Sequence, residues 1–225
     1  MKRHLKILIP VTISILLLSS CGDWFFNCYQ GNGVLGIEDR AVTSFDQIVS
    51  SGEFDIRIDG DTSAQYLRIE GDENLLDRVV TKVRSGVLYI ELEDGNCIEP
   101  EVGMTIYIGS NTLNAIDLDG KGNLYIDDLS VSSLELNVSG DGNIYASGKV
   151  NNLEINIDGV ANIIADEFRS NYCSIDINGE AYVYIYVNTS LVVDIDGVGT
   201  VYYTGNISDE NVSKDIDGTG SVTRK

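Results

Sequence analysis

One short phrase recurs six times in the second half of this chain and constrains the fold more than any other feature. The first glycine of each copy is Gly120, Gly140, Gly159, Gly179, Gly197 or Gly218, so the steps are 20, 19, 20, 18 and 21 residues. A fixed period near 20 residues is typical of arrays in which each unit stacks on the next. Such arrays have long flat faces and do not by themselves form a catalytic pocket.

Each copy contains two short alternating strands separated by a glycine turn. Leu134, Leu136 and Val138 alternate with polar residues, and a second strand follows the turn at Gly140. We expect the turn glycines to adopt positive φ angles, which other residues resist. Two arrangements fit this pattern, a β-solenoid and a meander of hairpins. Recurring residues favour the solenoid, because strands stacked in register about 4.8 Å apart place like side chains side by side.

We therefore predict an all-β fold, a single-stranded parallel β-helix or β-solenoid with coils of about 20 residues over 111–225. An irregular β-rich part is expected over 37–110. Alternation there predicts strands at 54–58, 66–69, 87–92 and 104–108. The single predicted helix is a short turn at 74–80, with Asn74 as its N-cap.

Residues 1–20 have the features of a bacterial lipoprotein signal peptide. A positively charged segment precedes an apolar run at 7–18, and the run ends in Leu-Ser-Ser-Cys21, which resembles a lipobox. We predict that Cys21 carries a lipid that anchors the chain in the bacterial cell envelope, at the outer membrane, facing the periplasm or the outside. The alternative is an ordinary secretory signal. Residues 21–36 then form an aromatic and glycine-rich tether.

Charge and histidine content exclude several functions. The formal net charge is −20, which disfavours nucleic acid as a partner because phosphate binding requires basic patches. The one histidine, His4, leaves with the signal peptide. A Ser-His-Asp or Cys-His site and a histidine-bound catalytic zinc therefore cannot form, and we predict that the protein is not an enzyme. The alternative is a polysaccharide-active β-helix enzyme with paired carboxylates, although the short joints between strands leave little room for a cleft.

Three cysteines follow Cys21 in the sequence. Cys28 and Cys97 both precede the repeats, and an exported protein can form disulfides, so these two are the pair if any pair exists. Cys173 lies at the start of a strand and is expected to be a buried small hydrophobe.

Acidic residues recur at two positions of the repeat. The first position contains Asp117, Asp176, Asp194 and Asp215, and the second contains Asp119 and Asp196. The apolar residue between the two positions is expected to be buried, which points both acidic positions outward. Neighbouring carboxylates about 4.8 Å apart repel one another. Either calcium, which prefers oxygen ligands, relieves this repulsion, or the residues are turn and ladder residues screened by water, with no cofactor.

Tyrosines provide a candidate interaction surface. Tyr182, Tyr184 and Tyr186 alternate with aliphatic residues and must share one face of a strand, and Tyr202 also follows a repeat glycine. The aliphatic face is the better core, so the tyrosines are left partly exposed. Such a row can stack on sugar rings or bind a protein. The alternative is a ladder that only shields the sheet.

Two features resemble a known family. One is Ser51-Gly-Glu-Phe-Asp-Ile-Arg-Ile58 with its flanking segments, and the other is the recurring Gly-Asn-Leu or Gly-Asn-Ile at 122–124 and 142–144. They are similar to the putative auto-transporter adhesin, head GIN domain family, typical of envelope lipoproteins of Bacteroidetes. The resemblance implies an all-β, solenoid-like domain in the cell envelope with no established activity.

These features together predict a non-catalytic cell-envelope lipoprotein. Its rigid, acidic and tyrosine-rich β surface is expected to serve adhesion or the binding of a protein or glycan. A self-assembling structural scaffold, forming homo-oligomers through its strand edges, is a further alternative.

Overall fold

The computed structural model describes residues 28–93 and 97–225, which form an all-β fold, as predicted. The strands before the repeats are β1 (Tyr29–Gln30), β2 (Leu35–Arg40), β3 (Gln47–Ser51), β4 (Asp55–Asp59), β5 (Tyr66–Asp72), β6 (Val79–Arg84), β7 (Val87–Leu92), β8 (Ile98–Glu99) and β9 (Thr105–Gly109). The repeats contribute β10 (Ala115–Leu118), β11 (Lys121–Val138), β12 (Asp141–Ile157), β13 (Val160–Ile177), β14 (Glu180–Ile195), β15 (Val198–Thr204), β16 (Val212–Ile216) and β17 (Thr219–Arg224). Short 3₁₀ helices cover Glu73–Arg78 and Asp209–Asn211.

The repeats form a parallel solenoid and not a meander of hairpins. Strands β11 to β15 pair in parallel, each with the strand one coil later. Leu136 is the register partner of Ile155, Ile155 of Ile175, and Ile175 of Val193. Matching positions of the repeat therefore stack directly on one another, which confirms the solenoid prediction.

Inward-pointing aliphatic side chains fill the coils. Val138, Ile157, Ile177 and Ile195 form one such column, and all four are buried. Each packs against an equivalent side chain in the adjacent coil, and full burial of one such side chain stabilises the fold by about 1.5–3 kcal/mol. The apolar position between the two acidic positions is therefore in the core, as predicted.

Strands that precede the repeats continue the same stack. β3 pairs in parallel with β10 and β7, and β4 pairs in parallel with β11 and β9. The coil at 47–59 therefore lies between strands that come later in the chain. β5 joins β9 in antiparallel fashion, and β2 joins β5 in the same way. The domain boundary placed at residue 110 stays a prediction, and strand pairing runs across it.

The short helix differs from its prediction in both its cap and its extent. It covers Glu73–Arg78, and its N-cap position is Asp72, whose side chain makes no capping hydrogen bond. The predicted cap, Asn74, instead donates to the carbonyl of Gln30 at 2.8 Å and accepts from the N–H of Asn32 at 3.0 Å. The predicted end at residue 80 is also wrong, because the two valines after the helix belong to β6, where branched side chains pack well.

The repeated glycine is required by close backbone approach, and the prediction of positive φ angles was wrong for it. None of the six first glycines has a positive φ angle. A Cβ atom on Gly140 would instead overlap the carbonyl oxygen of Gly120 in the preceding coil. The other five glycines of this column meet a glycine carbonyl in the same way. The stack is thus tightest at the turn, where only a residue without a side chain fits.

Candidate functional site

Two outward faces of the solenoid carry columns of polar and aromatic residues. The tyrosine face consists of one column with Tyr125, Tyr145, Ile164, Tyr184 and Tyr202 and a neighbouring column with Asn123, Asn143, Asn162 and Tyr182. The aspartate face consists of Asp117, Asn137, Asn156, Asp176, Asp194 and Asp215. Consecutive members of a column lie in adjacent coils, about 4.8 Å apart along the axis.

The predicted alternation along β14 is observed. Tyr182, Tyr184 and Tyr186 point outward, whereas Val183 and Ile185 between them are buried. The aliphatic residues join the core because that face of the strand lies inside the coil. The three tyrosines therefore share one partly exposed face, although their surroundings differ.

Four tyrosines of the tyrosine face are stacked in pairs. The ring centroids of Tyr125 and Tyr145 are 5.2 Å apart, and those of Tyr184 and Tyr202 are 4.9 Å apart. Ile164 lies between the two pairs in the same column. Each ring covers one face of its partner, so these rings present their edges more than their faces to a ligand.

Cationic side chains lie over both stacked pairs. The guanidinium of Arg57 is 4.0 Å from the ring centroid of Tyr125. The ammonium of Lys225 is 4.3 Å from the centroid of Tyr184 and 4.5 Å from that of Tyr202. Such contacts contribute about 0.5–1 kcal/mol each at exposed sites. The shielding-ladder alternative accounts well for this column, since its rings mainly contact one another and these cations.

Tyr182 lies outside both stacked pairs. Its register partners are Asn162 and Thr200, which are much smaller than a tyrosine, and the residue is 53% exposed. Neither neighbour can cover a phenol ring, so the ring of Tyr182 is open to a ligand. Tyr186 differs again, because the guanidinium of Arg169 lies 5.4 Å from its ring centroid.

Asparagines in the column of Tyr182 form a hydrogen-bonded ladder. The Nδ2 of Asn162 donates to Asn143 Oδ1 at 3.3 Å, and that of Asn143 donates to Asn123 Oδ1 at 2.9 Å. The ladder ends where Asn123 Nδ2 donates to Asp55 Oδ1 at 3.0 Å. These asparagines were not among the predicted site residues. The signal was their recurrence at one repeat position, because a fixed period brings recurring residues into one column.

At one end of the aspartate face, asparagine side chains separate the carboxylates and donate hydrogen bonds, which reduces charge repulsion. Asn137 Nδ2 donates to Asp117 Oδ1 at 2.6 Å, and Asn156 Nδ2 donates to Asn137 Oδ1 at 2.8 Å. The flanking Asp119 and other members of the second acidic position are exposed. Both acidic positions therefore point outward, as predicted.

Carboxylates stack directly at the other end of the aspartate face. Asp194 is the register partner of Asp176 on one side and of Asp215 on the other. Desolvation and the nearby charges of Asp196, Asp215, Asp176 and Asp217 raise the pKa of Asp194 above its ordinary value. The expected repulsion between carboxylates therefore adds to the effect of desolvation on the pKa of Asp194.

Metal binding at these carboxylates stays a prediction. Within residues 28–93 and 97–225, no group of three or more His, Cys, Asp or Glu side chains is arranged to hold a metal ion. The calcium candidates Asp117, Asp119, Asp176, Asp194, Asp196 and Asp215 lie along the outside of adjacent coils.

The cysteine predictions are confirmed. Cys28 and Cys97 form a disulfide that links the start of the described chain to the segment before β8. Cys173 is free and buried, and its burial raises the pKa of the thiol to about 12. A thiol with this pKa is almost entirely protonated at neutral pH, so its role is packing rather than nucleophilic chemistry.

A buried carboxylate holds the N-terminal segment next to this disulfide. Asp72 is fully buried and accepts hydrogen bonds from the N–H groups of Gly33 at 2.7 Å, Glu101 at 2.9 Å and Val102 at 3.1 Å. Burial alone would raise the pKa of Asp72, but these N–H groups outweigh it and hold the pKa below its usual value.

Several predictions concern residues outside the described part. The signal peptide 1–20, the lipidated Cys21 and the aromatic residues Trp24, Phe25 and Phe26 all precede residue 28, where the description begins. In the part of the chain that is described, no helix combines the length and apolar character needed to span a bilayer.

The fold and its two ladder-lined faces define a parallel β-solenoid protein. The chain belongs to the family described as putative auto-transporter adhesin, head GIN domain, whose model matches residues 44–206. This confirms the resemblance seen in the sequence. A search of curated proteins found no match.

Crystal structures of several other bacterial proteins share this fold. A putative adhesin from Bacteroides fragilis is 21% identical with a TM-score of 0.68, and the match covers 87% of this chain and 99% of that one. A putative adhesin from Parabacteroides merdae is 18% identical with a TM-score of 0.53, covering 87% and 98%. A structure described as a putative lipid binding protein from Parabacteroides distasonis is 23% identical with a TM-score of 0.51, covering 87% and 98%. At these identities the likeness shows the fold alone.

Proposed function

We propose that this protein is a non-catalytic lipoprotein of the bacterial cell envelope, anchored at the outer membrane by a lipid on Cys21, that presents its tyrosine face for adhesion. The observation that carries the proposal is the tyrosine face itself. Parallel register holds its tyrosines and asparagines in straight columns over successive coils. Membership of a family named for adhesins supports a role at the cell envelope.

The joints between coils argue against the enzyme alternative. β11 ends at Val138 and β12 begins at Asp141, and the other joints within the repeats up to β15 are equally short. A polysaccharide-cleaving site needs two carboxylates on opposite sides of a bound sugar, and longer loops usually form that cleft. The stacked carboxylates of the aspartate face lie instead in one row on an open surface.

Lipid anchoring and display are tested in a Bacteroides host that expresses the full chain. We expect an alkyne-labelled fatty acid to label the protein and Cys21→Ala to abolish the label and release the protein from the membrane fraction. Protease added to intact cells should remove the domain if it faces outward. Unchanged labelling and fractionation in Cys21→Ala would contradict the anchor.

Adhesion is tested with the unlipidated protein coated on beads. We expect beads to adhere to immobilised glycans or envelope proteins through the tyrosine face, so substitutions on that face should reduce adhesion while the melting temperature stays unchanged. Tyr186→Ala suits this test because Tyr186 shares the outward side of β14 with Tyr182 and Tyr184, next to the two columns of the tyrosine face, and is not in a stacked pair. Adhesion that survives in all such variants would show that another surface is responsible.

A further inference from the structure

A groove runs along the solenoid beside the asparagine ladder. One wall is the column of Asn123, Asn143, Asn162 and Tyr182, and the other is the column of Asp141, Val160 and Glu180. The residues between the two columns are Gly122, Gly142 and Ala161, so the floor is close to bare backbone. The groove crosses four adjacent coils, three steps of about 4.8 Å, which makes it about 14 Å long.

We propose that this groove binds a neutral glycan chain lying along the axis of the solenoid, with one sugar ring stacked on Tyr182. This site rests on the proposed function and gives the adhesion surface its ligand class. Tyr182 provides the aromatic platform, because the residue is 53% exposed and its neighbours in the column are too small to cover its ring. The apolar face of a sugar ring packs on such a platform while the sugar hydroxyls remain free for polar contacts.

The asparagine ladder provides those polar contacts. Each side-chain amide has two N–H donors and an oxygen with two lone pairs. The ladder uses one N–H of each of Asn123, Asn143 and Asn162, and one lone pair of Asn123 and Asn143. A donor and an acceptor therefore remain at each step. A repeating series of paired donors and acceptors matches the hydroxyl groups of a chain of sugar units.

Charge selects a neutral chain over an acidic one. The protein has a formal net charge of −20, and Asp141 and Glu180 lie in one wall of the groove, with no basic residue among the residues that line it. Uronic acid or sulfated glycans would meet like charges there, and the strongly negative net charge of the protein adds to this repulsion.

The shape of the groove favours a glycan over a folded protein partner. Stable protein interfaces bury about 1,200–2,000 Å² and place aromatic anchors in packed pockets. Here one exposed ring stands at the end of a shallow, open groove between two columns of side chains, which suits a slender chain. The stacked tyrosines of the next column can border the groove, but their faces are already in contact with one another.

The test measures binding of neutral hexasaccharides to the mature chain carrying Cys21→Ser. Cellohexaose, xylohexaose, mannohexaose and chitohexaose are titrated by calorimetry, with hexagalacturonate as the acidic comparison. We expect at least one neutral probe to bind, Tyr182→Ala to weaken its binding about tenfold, and Tyr182→Trp to retain it. The melting temperatures of both variants should match the unmodified protein, since Tyr182 is an exposed side chain.

Tyr172→Ala is the matched control. Tyr172 is 47% exposed and lies in a different column, with Asn152 and Ser190 as register partners. It should leave binding unchanged. No binding of any neutral probe, equal or tighter binding of hexagalacturonate, or equal losses in Tyr172→Ala and Tyr182→Ala would each overturn the proposal. Lipid labelling and cell-surface display do not depend on glycan binding, so this failure can be told apart from failure of the proposed function.

Discussion

Single residues in this protein are under unusually tight backbone constraint at the turn of each coil. The carbonyl of Gly120 accepts the N–H of Asp141 at 2.9 Å, and a Cβ atom on Gly140 would overlap that same carbonyl oxygen. The carbonyl therefore cannot move aside without loss of a ladder hydrogen bond. Glycine is required at this position because the coils approach so closely, which is why it recurs even where the rest of the repeat varies.

Gly140→Ala is expected to destabilise the protein by about 2–4 kcal/mol, the sum of overpacking and one weakened hydrogen bond. Urea unfolding monitored by circular dichroism measures this change. Ser139→Ala, an exposed residue of the same turn, is the control and should change the free energy of unfolding by less than about 0.5 kcal/mol. Equal effects of the two substitutions would show that the coils are free to separate.

The charge of Asp194 leads to a second prediction about a single residue. The pKa of Asp194 is raised in the folded state, so the folded protein binds this proton more readily than the unfolded chain. Its ionised form therefore destabilises the protein at neutral pH, and the penalty disappears as pH falls through the raised pKa toward the ordinary value of about 3.9. Asp194→Asn should raise the melting temperature at pH 7 and should have little effect below about pH 4.

Thermal melts between pH 3.5 and pH 7 check this prediction, with Asp141→Asn as the control. Asp141 lies between Lys121 and Val160 in its column, so its neutralisation removes one charge without relieving a stacked carboxylate. The same melts in calcium, and in sodium chloride at equal ionic strength, test the calcium hypothesis. A rise specific to calcium would support bound metal, since a ligand of the folded state raises the melting temperature.

At the level of elements, the N-terminal segment is held to the solenoid by local contacts that the repeats do not provide. β1 pairs with β8 over two residues only, and the Cys28–Cys97 disulfide lies beside this pair. The carboxylate of Asp72 ties the same region together through the N–H groups of Gly33, Glu101 and Val102. Stability of this end therefore depends on one charged group in addition to the disulfide and the short strand pair.

Asp72→Asn should lower the melting temperature at pH 7, because an amide nitrogen would face backbone N–H donors in place of a carboxylate oxygen. The pKa of Asp72 is depressed in the folded state, so its stabilisation is present above about pH 4 and is lost as pH falls through the folded pKa. The difference between the two proteins should therefore shrink in acid.

Asp39→Asn is the control variant for the thermal melts of Asp72→Asn. Asp39 forms an exposed ion pair with Arg68 at 2.7 Å, a contact that contributes little in solvent. Its substitution should leave the melting temperature nearly unchanged. A larger effect for Asp39→Asn than for Asp72→Asn would contradict the assigned role of the buried carboxylate.

The whole molecule shows which features a sequence can predict and which it cannot. The solenoid was predictable because identical residues at a fixed period stack in register, and the outward tyrosines of β14 followed from simple alternation. The coil at 47–59 was not, because its neighbours β9 and β10 lie 50 and 68 residues further along the chain and show no periodic pattern in the sequence. The groove beside Tyr182 was not predictable either. It forms because the register partners of Tyr182 in the adjacent coils are small, and register between coils cannot be read from a single segment.

The open end of the stack supports a last prediction. Among the described strands, β16 and β17 each have a parallel neighbour on one side, β14 and β15 respectively. Lys214 is the register partner of the buried Val193, so a charged residue occupies a core-column position in the final coil. A charge at such a position discourages a second copy from adding to the free edge.

Lys214→Ile should therefore increase association of the full chain through this edge. Size-exclusion chromatography with light scattering should show an apparent mass that rises with concentration, above that of the unmodified protein. Lys149→Ile makes the same chemical change in the middle of the stack, where Ser130 and Arg169 are the register partners on either side. Association only in Lys214→Ile would locate the contact at the open edge. Equal association of both variants would show that added surface hydrophobicity, and not the exposed strand edge, drives self-assembly.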